Sequence, residues 1–99
     1  MGILLEPRAE RFVIRTPVWY RAGCRPVWSP GETLNISRSG ILFQAGKEIE
    51  PGTLLEMRLS FPAEMTGGKP VDHVCWGPVI RKDLSGVAAS ILNYRFKQE

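Results

Sequence analysis

Histidine occurs once in this chain and cysteine twice, at His73, Cys24 and Cys75, and the cysteines form no CxxC pair. A zinc centre needs several such ligands at set spacings, so no metal site is expected. The two thiols are expected reduced, in a cytoplasmic protein. No apolar run approaches the ~20 residues of a membrane helix, and no membrane insertion is expected. Met1-Gly2-Ile3-Leu4-Leu5 is short for a signal sequence and runs into Glu6; Glu6 also stands where a myristoylation motif needs serine or threonine. Internal repeats, low-complexity tracts and sustained helical stripes are missing. Asp72-His73 has no nucleophile motif for company, so no enzyme and no cofactor are expected.

What is present is an ordinary globular composition, 43% hydrophobic and 23% charged, in 99 residues. That is one domain's worth of chain, read here as residues 1–99. The net charge of +3 is unevenly spread. Residues 1–40 hold six arginines against three glutamates, whereas residues 41–99 hold seven basic and seven acidic side chains. Every base in the first segment is arginine, whose planar fork grips phosphate and the guanine O6/N7 edge in bidentate fashion. A solvated basic face would account for the asymmetry alone; an anionic partner is modestly favoured.

Strand signals dominate. Residues 1–10 fit no period and read as an arm, and Arg11 to Ala22 reads as a strand that Pro17 bends or delays. Gly23 to Pro30 is a loop; Glu32 to Ser37 and Gly40 to Ala45 are short strands. Thr53 to Phe61 alternates most clearly, with Leu55, Met57, Leu59 and Phe61 on one face. A loop over 62–70 precedes a long strand, Val71 to Lys82, with a bulge or bend expected at Gly77-Pro78. A tight turn over Asp83 to Gly86 leads into a closing strand, Gly86 to Phe96. About six strands in a chain this short predict a six-stranded antiparallel barrel over 11–96, since closure removes exposed edges. No long C-terminal helix is expected.

Two stretches carry candidate chemistry. Arg11 and Arg15 are four apart in Arg11-Phe12-Val13-Ile14-Arg15. About two dozen positions later comes Asn35-Ile36-Ser37-Arg38-Ser39-Gly40. On a regular strand Asn35 and Ser37 share one face, while Leu34 and Ile36 share the other. Gly40 permits a sharp turn or a close backbone approach. Planar cations, small polar groups and a glycine-lined floor suit a small anionic purine ligand. The bland alternatives are an ion pair with Glu6 or Glu10 for the arginines and turn hydrogen bonds for Asn35 and Ser37. Trp19, Trp28 and Trp76 are expected in packing rather than as a base-stacking platform, and Met57 and Met65 as filler.

An RxxxR box followed by (D/N)xSxxG on an all-β background resembles the PilZ domain family. The resemblance extends to Ile41-Leu42-Phe43, to Val74-Cys75-Trp76 and to the hairpin into Gly86-Val87-Ala88. It implies binding of the bacterial second messenger cyclic di-GMP. By that resemblance Arg11 and Arg15 embrace the ligand, and Asn35, Ser37 and Gly40 line the opposite wall. Arg8 is a further candidate, because Glu10 stands where the family often has an extra arginine. Arg38 falls on a variable position. The arm, residues 1–10, is expected to order around the ligand and signal to a partner protein, such as motility, pilus or exopolysaccharide machinery. The alternative is a PilZ-like interaction domain that binds no nucleotide and acts in pilus or flagellar machinery. A barrel binding single-stranded nucleic acid ranks below both.

Overall fold

Alternation of inward apolar and outward polar side chains builds the whole molecule. The computed structural model describes residues 12–23 and 25–98. Arg8, Arg11, the expected arm, Cys24 and the side chain of Met65 lie outside the described residues. Seven strands follow one another: β1 (Pro17–Ala22), β2 (Ser29–Ile36), β3 (Gly40–Ala45), β4 (Leu54–Phe61), β5 (Val71–Asp83), β6 (Gly86–Ser90) and β7 (Asn93–Gln98). A single helical turn, Ala63–Thr66, sits between β4 and β5.

All pairings are antiparallel. The order β4-β1-β2-β3-β6-β5, with β5 pairing back to β4, closes a six-stranded barrel. This is the barrel expected from the strand count, with β7 added on β5 outside the ring. The core is filled from every wall: Val18 and Tyr20 from β1, Ile36 from β2, Ile41 and Phe43 from β3, Leu55, Met57 and Leu59 from β4, Val79 from β5, and Val87 and Ala89 from β6. Phe43, Met57 and Leu59 lose essentially all contact with water, a large apolar burial for a small chain. Cys75 is a free thiol in this core, its pKa pushed up to about 12 by burial.

β1 starts at Pro17, the delayed start that is among the outcomes expected of this proline. Other boundaries differ from expectation: β2 begins at Ser29, inside the expected loop Gly23 to Pro30. β5 runs on through Gly77-Pro78; the irregularity expected there falls just beyond, as a register shift against β6 between Val79 and Arg81, and one of its two partners changes. Val71 to Trp76 pairs with β7, whereas Val79 to Asp83 pairs with β6. The expected closing strand is accordingly split at Ile91-Leu92. Gly77 explains the split: a Cβ there would lie 1.7 Å from the Ser90 carbonyl oxygen, so the passing chain crosses the bare glycine backbone. Ile91 N–H then donates to Ser39 O (2.8 Å) and Leu92 N–H to Trp76 O (2.8 Å), which turns the chain out of the barrel wall.

Candidate functional site: the wall beside the β2–β3 turn

The segment Phe12–Thr16 precedes the barrel yet is fastened to it. Phe12 N–H donates to Ile36 O (2.8 Å), Ile36 N–H to Phe12 O (2.9 Å) and Thr33 N–H to Thr16 O (2.9 Å). The fastener is Thr33, a fully buried residue of β2. Its hydroxyl accepts the Thr16 N–H at 2.9 Å and donates to the Ile14 carbonyl. A buried hydroxyl left unpaired is costly, so these two bonds fix the segment in register. Ile14 then packs against the core, and Arg15 takes the outward side. Its guanidinium lies 3.7 Å from Glu32 Oε1, with 62% of the Arg15 side chain exposed. An ion pair so exposed contributes little and is easily exchanged for another anion.

A register shift between Thr33 and Asn35 corrects the expected alternation of the second motif. Thr33 and Ile36 both point inward, so Leu34 and Asn35 are left together on the outside. The shift lies before Asn35: Asn35 and Ile36 pair in regular register with Leu42 and Ile41, and Ser37 follows against Gly40, so Asn35 keeps the side expected of it with Ser37, whereas Leu34 does not share a face with Ile36. Ser37 is buried. Its Oγ accepts the N–H groups of Gly40 (3.2 Å) and Ser39 (3.3 Å), while its own N–H donates to Gly40 O (2.8 Å). The hydroxyl closes the β2–β3 turn, as serine commonly does. Gly40 serves as a close approach: a Cβ there would meet the Ala89 carbonyl oxygen at 3.0 Å.

Outside this turn, β3, β6 and the end of β5 form a shallow groove of about 490 Å³. Gly40, Ala88 and Ser90 give it a low floor, and Arg81 stands at its edge. The Arg81 guanidinium lies 3.2 Å from Asp83. Hydrogen bonds from the Ser85 hydroxyl and backbone N–H hold the Asp83 carboxyl below the usual range, with Arg81 a smaller cause. Thr33, Arg81, Ala88 and Ser90 were not singled out from sequence. The small-residue run Gly86-Val87-Ala88-Ala89-Ser90 was the available signal for the floor. For Thr33, the signal was a lone hydroxyl on the inward phase of a strand.

The remaining sequence candidates sit elsewhere. Arg38 and Ser37 border a separate apolar cavity beside β7. His73 is buried between Phe96 (4.7 Å, stacked) and Phe61 (5.8 Å, stacked), with Tyr94 edge-on at 5.5 Å. Desolvation lowers its pKa, which keeps the imidazole neutral. The three tryptophans come to one outer face, a grouping the sequence did not reveal. Arg21 and Arg58 lie over the Trp28 ring at 4.4 and 5.5 Å, and Arg95 over Trp76 at 5.7 Å. Trp19 faces Arg58 across the β1–β4 ladder. Arg21 is further tied to Glu56 at 2.8 Å. Among the described residues no group of acidic, histidine or cysteine side chains could hold a metal ion, and no helix is long and apolar enough to cross a membrane. Neither a scan against protein-family models nor a search of curated proteins finds a match to this chain.

Proposed function

We propose that this barrel is a cyclic di-GMP-binding sensor or adaptor module of the PilZ type, which passes the bound state to a partner protein. The observation that carries the reading is the Thr33-fastened segment Phe12–Thr16. It runs antiparallel beside the strand that ends in the Asn35–Gly40 motif, so Arg15 and Asn35 both face outward on adjoining stretches of chain. The low floor of Gly40, Ala88 and Ser90 leaves room for planar bases there. In this reading the Arg15 fork leaves Glu32 for a ligand phosphate or guanine edge, a stronger charge-assisted contact than the exposed pair it replaces. Arg11 is the second fork of the same box. Gly40 and Ser37 act through the backbone shape of the turn.

Titration calorimetry with cyclic di-GMP tests the proposal. Binding is expected in the intact chain and is abolished by Arg15→Ala. Lys82→Ala, a change at a cation paired with Glu48, leaves it intact. The engagement of Ser37 Oγ in the turn and of Arg15 with Glu32 favours one rival, an interaction domain that binds no nucleotide. No heat at high micromolar ligand would decide for that rival. Equal loss of binding in both variants would point to general electrostatics and a nucleic-acid partner.

A further inference from the structure

Among the described strands, closing the barrel consumes every edge but one. β7 pairs with β5 along Val71 to Trp76, and among the described residues its other edge has no strand beside it. An unpaired edge is a template for another strand unless charge, proline or a bulge blunts it. β7 carries no proline, and its sequence Asn93-Tyr94-Arg95-Phe96-Lys97-Gln98 alternates aromatic with polar or cationic residues. Tyr94 and Phe96 lie on the concave side against His73, yet they remain 53% and 58% exposed. Next to them opens an apolar cavity of about 200 Å³, bounded by Phe12, Ile36, Phe61, His73, Tyr94 and Phe96. Phe12 on its far side is 51% exposed. His73 is 6% exposed, and its Nδ1 is buried with no hydrogen-bond partner among the described residues.

We infer that β7 is a docking edge for an extended segment of a partner protein in which apolar and acidic residues alternate. Strand addition to β7 satisfies the open backbone edge. The apolar residues of the added strand fall on the concave side, where they cover Tyr94, Phe96 and Phe12 and reach the cavity beside His73. The intervening residues fall beside Arg95, on the outer side, where acidic side chains are the complement. The same charge pattern argues against a second copy of this chain. The antiparallel β7–β7 pairing that sets Tyr94 of each copy against Phe96 of the other also sets the two Arg95 residues opposite each other, and like charges placed opposite are destabilising. The inference does not rest on nucleotide binding.

The test uses the intact chain and a blocked hexapeptide, Glu-Val-Glu-Phe-Glu-Val, beside an isomer with lysine for each glutamate. Three readings decide the matter. First, amide hydrogen exchange of the chain alone should leave the outer-edge amides of β7 unprotected; protection without peptide overturns the proposal, since the edge is then already covered. Second, the acidic peptide should protect those amides and shift the Phe96 and His73 ring signals, while the lysine isomer does neither at the same concentration. Absence of protection at about 1 mM acidic peptide, where even weak strand addition registers, overturns it. Third, Phe96→Asp should weaken acidic-peptide binding about tenfold or more, and Arg95→Glu should reverse the preference between the two peptides. An unchanged preference in Arg95→Glu, or equal binding of both peptides by the parent chain, contradicts the assigned chemistry. Cyclic di-GMP titration of the same variants reads the nucleotide proposal separately.

Discussion

The two halves of β5 live in different surroundings. Along Val71 to Trp76, between β4 and β7, both faces carry large groups: the His73 aromatic cluster on one side and Trp76 with its arginine neighbours on the other. Along Val79 to Asp83, beside β6, the small residues Ala88 and Ser90 lie among Leu42, Ile80 and Leu92, and a groove opens. Gly77 is the pivot between them. The difference teaches that a sheet with bulky outward side chains covers itself, by cation–π contacts such as Arg21 on Trp28. A sheet with small ones leaves its surface to something else. The nucleotide site proposed above takes in this half, near the β2–β3 turn.

The strongest way to break this contrast is to fill the pivot. Gly77→Val should destabilise the fold by about 3 kcal/mol or more in urea unfolding, because the new side chain must displace backbone at Ser90. Next is Arg15, the arginine of the proposed site. Arg15→Ala should remove cyclic di-GMP binding, at least about a hundredfold by calorimetry for a lost bidentate contact, whereas Arg58→Ala on the tryptophan face leaves affinity unchanged. Thr33→Val sharpens the account of how Arg15 is positioned. Two buried hydrogen bonds go while shape is kept, so affinity should fall about tenfold and the Phe12 and Ile36 amides should exchange faster.

A smaller effect concerns the crowded half. Burial holds the His73 pKa below 6.5. Above pH 6.5 the imidazole is neutral in both folded and unfolded chains, and stability sits at its plateau. As pH falls below 6.5 the unfolded chain protonates first, so stability declines until the folded pKa is reached and then levels off. Urea midpoints should show this slope in the parent chain and a flatter one in His73→Phe. The bare half has no counterpart: its titrating group, Asp83, is held by Ser85 at the exposed turn.

The fold was legible where one period ran cleanly. Leu55, Met57 and Leu59 announced β4, and all three are in the core. Gly46 and Pro51-Gly52 marked a turn, whereas Pro30-Gly31 and Gly77-Pro78 lie inside strands; the strand count led to a closed barrel. What was not legible depended on neighbours distant in sequence. The bulge that turns Leu34 away from the face of Ile36 goes with Thr33 being held inward by Thr16 and Ile14, nearly twenty positions upstream. The split of the closing strand depends on Gly77 meeting Ser90. Of the candidate site, the turn chemistry of Ser37 and the close approach at Gly40 were readable as local alternatives; the floor beneath them was not, since Ala88 and Ser90 acquire meaning only from the groove they line.

The central claim is that the bare wall beside the β2–β3 turn holds the nucleotide. Backbone amide chemical shifts, recorded while cyclic di-GMP is added to the intact chain, test it most directly. The account predicts shifts gathered at Arg15, at residues 35–42 and at Arg81, Ala88 and Ser90, with Trp28 and Arg58 unmoved. An unshifted spectrum at about 1 mM ligand, beyond the range of a functional second-messenger site, or shifts centred on the tryptophan face, would contradict it.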